Sequence, residues 1–170
     1  MQAYSAVENK NHSKGVEYMR ELFARKQDAN RIIGQDYLYL GRALKATGED
    51  SLAVVNITKG VELDTTKVDE LTEIAKTYYD DKKFERAARV YKKGIHLNSK
   101  NPSMAMNYYY LGRSNYFAYV YAVQANKNPD RSMLVEADSA FAKVNALAPE
   151  YEGAYLDRAR VNKQLDIKDN

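Results

Sequence analysis

The sequence predicts an all-α protein made of repeated helical hairpins, and three observations predict it. Segments of about 12 to 15 residues carry apolar side chains at helical rather than strand spacing. Only three prolines and eight glycines punctuate the 170 residues. The pattern of large and small residues recurs after 34 positions. A composition of 45% hydrophobic and 29% charged residues suits one globular domain with a sizeable core. No apolar run approaches the roughly 18 to 20 residues that cross a bilayer.

Helices are expected at 2–9, 12–25, 34–47, 50–63, 67–80, 83–97, 103–125, 131–147 and 151–165. They pair into hairpins over 1–30, 34–66, 67–100 and 103–149, leaving 151–165 as a single helix in one solenoid of residues 1–170. In the first hairpin, Ala3 and Ala6 mark one helix, and Gly15, Met19 and Leu22 mark the other. In the second, Tyr37, Leu40, Gly41 and Leu44 face Ala53, Ile57, Gly60 and Leu63. Adding 34 gives Leu71, Ile74, Ala75 and Tyr78, then Ala87, Tyr91, Gly94 and Leu97, with large and small types kept in order. Two helices approach closely only where Gly or Ala meets the partner backbone and bulky residues fill the spaces between. The next copy reads Tyr108, Leu111 and Gly112, then Ala137, Phe141, Val144, Leu147 and Pro149, with its halves 13 residues further apart. A last copy begins at Tyr155 and Ala159 and contains one helix.

These residues resemble the tetratricopeptide repeat family. Its signature is similar to Tyr37-Leu38-Tyr39-Leu40-Gly41-Arg42-Ala43-Leu44, Gly48 before the turn, and the closing Gly60-Val61-Glu62-Leu63-Asp64. Thr65 and Ser99 stand where the family closes on proline, and Pro149 keeps it. The resemblance covers nearly the whole chain. It implies a right-handed α-α superhelix of about four hairpins plus an unpaired C-terminal helix, cut from a longer bacterial-type multi-repeat protein. The cytoplasm and a bacterial cell envelope both stay open as its location.

In that family the first helix of each hairpin lines an inner face where extended peptides bind. The position after each small residue of those helices holds Arg42, Lys76, Arg113 and Arg160. Three residues on lie Lys45, Tyr79, Tyr116 and Lys163; one turn earlier lie Leu38, Thr72, Tyr109 and Leu156. The expected peptide-binding set is therefore Arg42, Lys45, Lys76, Tyr79, Tyr109, Arg113, Tyr116 and Arg160. Arginine grips carboxylates through paired hydrogen bonds, and tyrosine gives contact area at low entropy cost. The competing reading is a solvated face whose charges pair with Asp69, Glu73 or Asp157. The family's clamp for chaperone carboxylate ends uses asparagines where this chain has Arg42 and Lys76, and Glu73 replaces another, so a different ligand is implied.

The long helix at 103–125 carries Tyr110, Phe117 and Tyr121 on one side. They form either an exposed ridge for a partner or second copy, or part of a helix packed on Met133 and Leu134. The two histidines, His12 and His96, fall in different hairpins, and the chain has no cysteine. Neither catalysis nor a metal site is expected, and no cofactor or small-molecule substrate. A partner protein or peptide is the leading expectation, followed by a structural or self-associating segment. RNA ranks last, because a net charge of +3 is small for a phosphate-binding surface.

Overall fold

The computed structural model describes residues 2–25 and 30–166. Among them run the helices α1 (Gln2–Glu8), α2 (His12–Ala24), α3 (Gly34–Ala46), α4 (Asp50–Leu63), α5 (Asp69–Asp80), α6 (Phe84–Leu97), α7 (Met104–Gln124), α8 (Ser132–Leu147) and α9 (Glu152–Asp166). A 3-10 turn, Thr65–Lys67, precedes α5, and no strand occurs among the described residues. The all-α helical-repeat reading holds, with each helix end within two residues of its expected place. The chain clusters into two compact units, Met1–Leu71 and Thr72–Asn170, each with its own core.

One turn recurs at the head of the hairpins. Lys10, Gly48, Lys82 and Asn126 have φ of 60°, 85°, 59° and 54°. The next residue of each donates its amide five residues back: Asn11 to Ala6 at 2.8 Å, Glu49 to Leu44 at 2.8 Å, Lys83 to Tyr78 at 2.8 Å and Lys127 to Ala122 at 2.9 Å. This helix ending needs one left-handed residue, usually glycine. Gly48 and Asn126 are residue types that favour it; lysine there costs roughly 1 kcal/mol of backbone strain.

The first unit is built on α1 to α4. Val7, Val16, Met19, Leu40, Ala43, Leu44 and Ala53 form its buried cluster. Gly41 sits so close to α4 that a Cβ would lie 2.4 Å from Ile57 Cγ1 and 3.1 Å from the Ala53 carbonyl oxygen. Asp36, buried in the first turn of α3, accepts from the Ile33 amide at 2.8 Å and from the Tyr4 hydroxyl. The second unit centres on Leu134, Ala137, Phe141 and Val144 of α8, which meet Tyr109 and Tyr119 of α7 and Ala154 and Val161 of α9. The missing prolines have a substitute. The Asp64 carboxylate accepts from the Thr66 amide at 3.1 Å, and the Asn98 side chain accepts from the Lys100 amide at 3.1 Å.

Two expectations of burial need correction. Leu63 and Leu147 are each 54% exposed, although the repeat pattern treats them as packed. Each is the last residue of its helix, and Leu63 lies beside Gly34, which has no side chain to cover it. Tyr155 and Ala159 are exposed as well. Their face of α9 would meet the second helix of a hairpin, and no helix follows α9 among the described residues.

Candidate functional site

The expected peptide-binding residues divide between the units: Arg42 and Lys45 in the first, the other six in the second. In the first unit, Arg42 is clasped by Glu70, with Nε 3.1 Å from Oε2 and a second bond from the other arm of the guanidinium to Oε1. Its guanidinium also lies 5.2 Å from the Tyr39 ring centre. Lys45 is half-buried and likewise engaged. Leu38 is buried under Gly60 and lines no open surface, because the absent Cβ lets its side chain into the α3–α4 seam.

In the second unit, the side chains converge on one carboxylate. Asp157 of α9 is 12% exposed and accepts from Arg160 at 2.6 Å and from the Tyr109 hydroxyl at 3.1 Å. Arg113 Nε lies 3.6 Å from the same carboxylate, beyond hydrogen-bond reach, and has no hydrogen-bond partner. Three aromatic rings surround the Arg113 guanidinium, those of Tyr79 at 5.6 Å, Tyr109 at 5.6 Å and Phe117 at 5.2 Å. A cation held over aromatic faces is stabilised by their quadrupoles, which offsets the partial desolvation of the Arg113 guanidinium. Lys76 pairs along its own helix with Asp80 at 2.7 Å, and this bond raises its pKa.

Sequence reading thus found the basic residues and named Asp157 as a counter-charge. It missed Glu70 and Asp80. The i,i+4 spacing of Lys76 and Asp80 was the available signal; Glu70 gave none, since its partner is 28 residues away. Tyr109 and Tyr116 also differ from expectation. Tyr109 is a core residue whose hydroxyl alone reaches the polar cluster, and Tyr116 packs along the edge of the same core.

The Tyr110, Phe117 and Tyr121 ridge is corrected too. This side of α7 turns toward α5 and α6: Tyr110 lies 5.2 Å from Tyr79 and stacks at 5.8 Å on Tyr91, and Phe117 lies 5.3 Å from Phe84. Tyr110 and Phe117 are half-buried, and only Tyr121 is open, at 47%. The opposite side of α7 packs on Leu134, with Met133 at its edge. The middle of α7 is covered on both sides, and its last turn, with Tyr121 and Val123, stays open.

Burial drives the Tyr91 hydroxyl well above the ordinary tyrosine value of about 10, with neighbouring Tyr110 and Asp80 adding to the shift. Burial does the same to Tyr109, reinforced by Tyr151 and Asp157, and to Tyr4, reinforced by Asp36. The fold holds these protons more tightly than the unfolded chain. Their contribution to stability is therefore complete below about pH 10 and is lost as pH rises beyond it. Alkaline titration followed by tyrosinate absorbance should leave these hydroxyls protonated after the exposed tyrosines ionise, then release them as the helices unfold. Full ionisation of all fifteen tyrosines with helicity intact would contradict the burial.

His12 Nδ1 is buried without a partner, and His96 is exposed in the last turn of α6. No group of three or more His, Asp or Glu is placed to hold a metal ion among the described residues. No helix among them is long and apolar enough to cross a membrane.

No protein-family model and no curated protein matches the sequence. Solved structures do match in fold. The C-terminal part of a TPR repeat-containing protein from Cytophaga hutchinsonii superposes with a TM-score of 0.54 at 24% identity, over 97% of this chain and 70% of that one. A MamA mutant superposes with a TM-score of 0.52 at 18% identity, over 96% of this chain and 79% of that one. At such identities the likeness is one of fold.

Proposed function

Since the chain is a TPR-like helical-repeat protein, we propose that it serves as a non-catalytic scaffold that holds an extended segment of a partner protein. The observation that supports this reading is the Asp157 cluster. Two arginines lean on a single carboxylate there, whereas Arg42 and Lys76 each face a carboxylate of their own. The cluster therefore has one positive charge left to satisfy, and Arg160, 64% exposed, presents it outward. An acidic side chain of the partner completes the cluster, while the rings around Arg113 fix its geometry in advance.

Binding of short synthetic peptides of graded acidity, followed by fluorescence anisotropy, tests this. Acidic members should bind, and R160E combined with R113Q should weaken them by about tenfold or more. R42E combined with K76E should change little. Equal binding by the R113Q/R160E protein, with its helicity intact, would sink the reading.

A structural or self-associating segment is the second reading. It is supported by Tyr121 and Val123 of α7 and Val135 of α8, exposed by 47%, 43% and 56%. Molar mass that rises with protein concentration and falls on Y121A would favour it. RNA binding ranks third, since most of the basic residues in the expected set already have carboxylate partners.

A further inference from the structure

The lengthening of α7 makes something that a standard hairpin would lack. Its last turn and the residues after it form one wall of a groove of about 600 Å³, facing the α5–α6 turn and the start of α6. Tyr121, Ala122, Ala125 and Lys127 supply the first wall. Lys82, Lys83, Arg86 and Arg89 supply the second, with Glu85 the only carboxylate in the lining. Phe84, nearly buried, forms an apolar floor with Tyr121, ring centres 5.5 Å apart and 30° from parallel.

The balance of charge is different from that at Asp157. Lys83 is tied to Asp81 at 3.1 Å, and Arg89 lies 3.9 Å from Glu85. The exposed side chains of Lys82, Arg86 and Lys127 make no ion pair or hydrogen bond with other described residues. Three cations thus crowd one small concavity without counter-ions among those residues. The start of α6, where no side chain caps the helix, adds further positive potential. Like charges gathered this way repel one another, and an anion relieves the repulsion. The turn itself adds a second cost, because Lys82 holds the left-handed conformation that glycine adopts freely.

We propose that this groove is a second docking site, which takes a short acidic segment of a partner protein with one aromatic or large apolar side chain. The acidic residues meet Lys82, Arg86 and Lys127, and the apolar side chain lies on Phe84 and Tyr121. A volume of about 600 Å³ falls in the range of formed ligand sites and suits a few residues of peptide. A nucleic-acid strand would need phosphate contacts continuing beyond it. The site is separate from the Asp157 cluster, with which it shares no residue.

A fluorescein-labelled peptide of alternating glutamate and phenylalanine, titrated with the full chain at low salt, is the test. Binding should fall by about tenfold or more in R86E combined with K127E and stay unchanged in K59E, a charge reversal on α4 outside both sites. K82G gives the reading that a merely structural role would not: it should hold or raise the melting temperature, by relieving the turn, while weakening the peptide several-fold. An all-glutamate peptide should bind more weakly than the mixed one, and Y121A should erase that difference. The proposal is overturned if R86E/K127E binds like the parent. It is equally overturned if a uridine oligonucleotide of the same length binds as tightly with the same sensitivity, since the groove then recognises polyanions and not a peptide.

Discussion

Gly41→Ala should destabilise the protein by about 2 kcal/mol, although alanine is the better helix former by about 1 kcal/mol. The added methyl would meet Ile57 Cγ1 at 2.4 Å, the Ile57 backbone nitrogen at 3.0 Å and the Ala53 carbonyl at 3.1 Å. A rotamer change can move a side-chain atom but not the two backbone atoms. Helices α3 and α4 must therefore separate along the seam that buries Ala53, Ile57 and Val61. Overpacking of a tight core typically costs about 1–3 kcal/mol, and this contact belongs at the upper end before the propensity gain is subtracted. Gly41→Val, bulkier and β-branched, should cost more still. Gly153→Ala is the control: its nearest neighbour is the Tyr151 ring, 3.3 Å away and able to swing outward. That change should be neutral or slightly stabilising. Urea unfolding followed by helical circular dichroism separates the cases, and a neutral Gly41→Ala would refute the close approach.

Phe141→Ala should be the most damaging single truncation in the second unit, at about 3–5 kcal/mol. Phe141 is fully buried and fills the space left by Gly112, whose Cβ would fall 2.9 Å from the ring. It also meets Tyr109 edge-on at 5.9 Å. Truncation removes this aromatic contact and opens a cavity between α7 and α8, and no small side chain can fold in to fill it. Phe141→Leu keeps most of the volume and should cost well under half as much. Loss of the near-ultraviolet tyrosine signal at lower urea would follow the damage. A cost below about 1 kcal/mol for the alanine variant would show that the seam repacks freely.

Gly41 and Gly112 were readable from sequence because they obey a rule about approach. A small residue set among large ones at the same place in successive copies, Gly41, then Ala75 after 34 residues and Gly112 after 37 more, marks where two helix backbones nearly touch. The turns were less readable. Among the described residues, the left-handed positions Lys10 and Lys82 carry a residue type that gives no sign of the conformation, and only the tertiary fold reveals it. The basic residues were found, but their electrostatic state was not. Whether Arg42 is available depends on Glu70, which is remote in sequence and close only after folding. The groove beside α7 escaped for a related reason: the basic run at 82–89 is plain in the sequence, but Lys127 and Tyr121, which complete the lining, lie about forty residues away and join it only after folding.

The extra length of α7 bears on how such a chain can change. Gly112 and Tyr119 stand seven residues apart, and both face α8. Seven residues fall only about 20° short of two full turns of helix. A deletion or insertion of seven therefore preserves which side chains meet α8, whereas one of five would swing them out of the seam. Hairpins of this kind can lengthen or shorten in quanta of two turns. Reach beyond the neighbouring helices then becomes a property that varies independently of the core, and new surfaces can arise at a hairpin tip without disturbing the packing beneath.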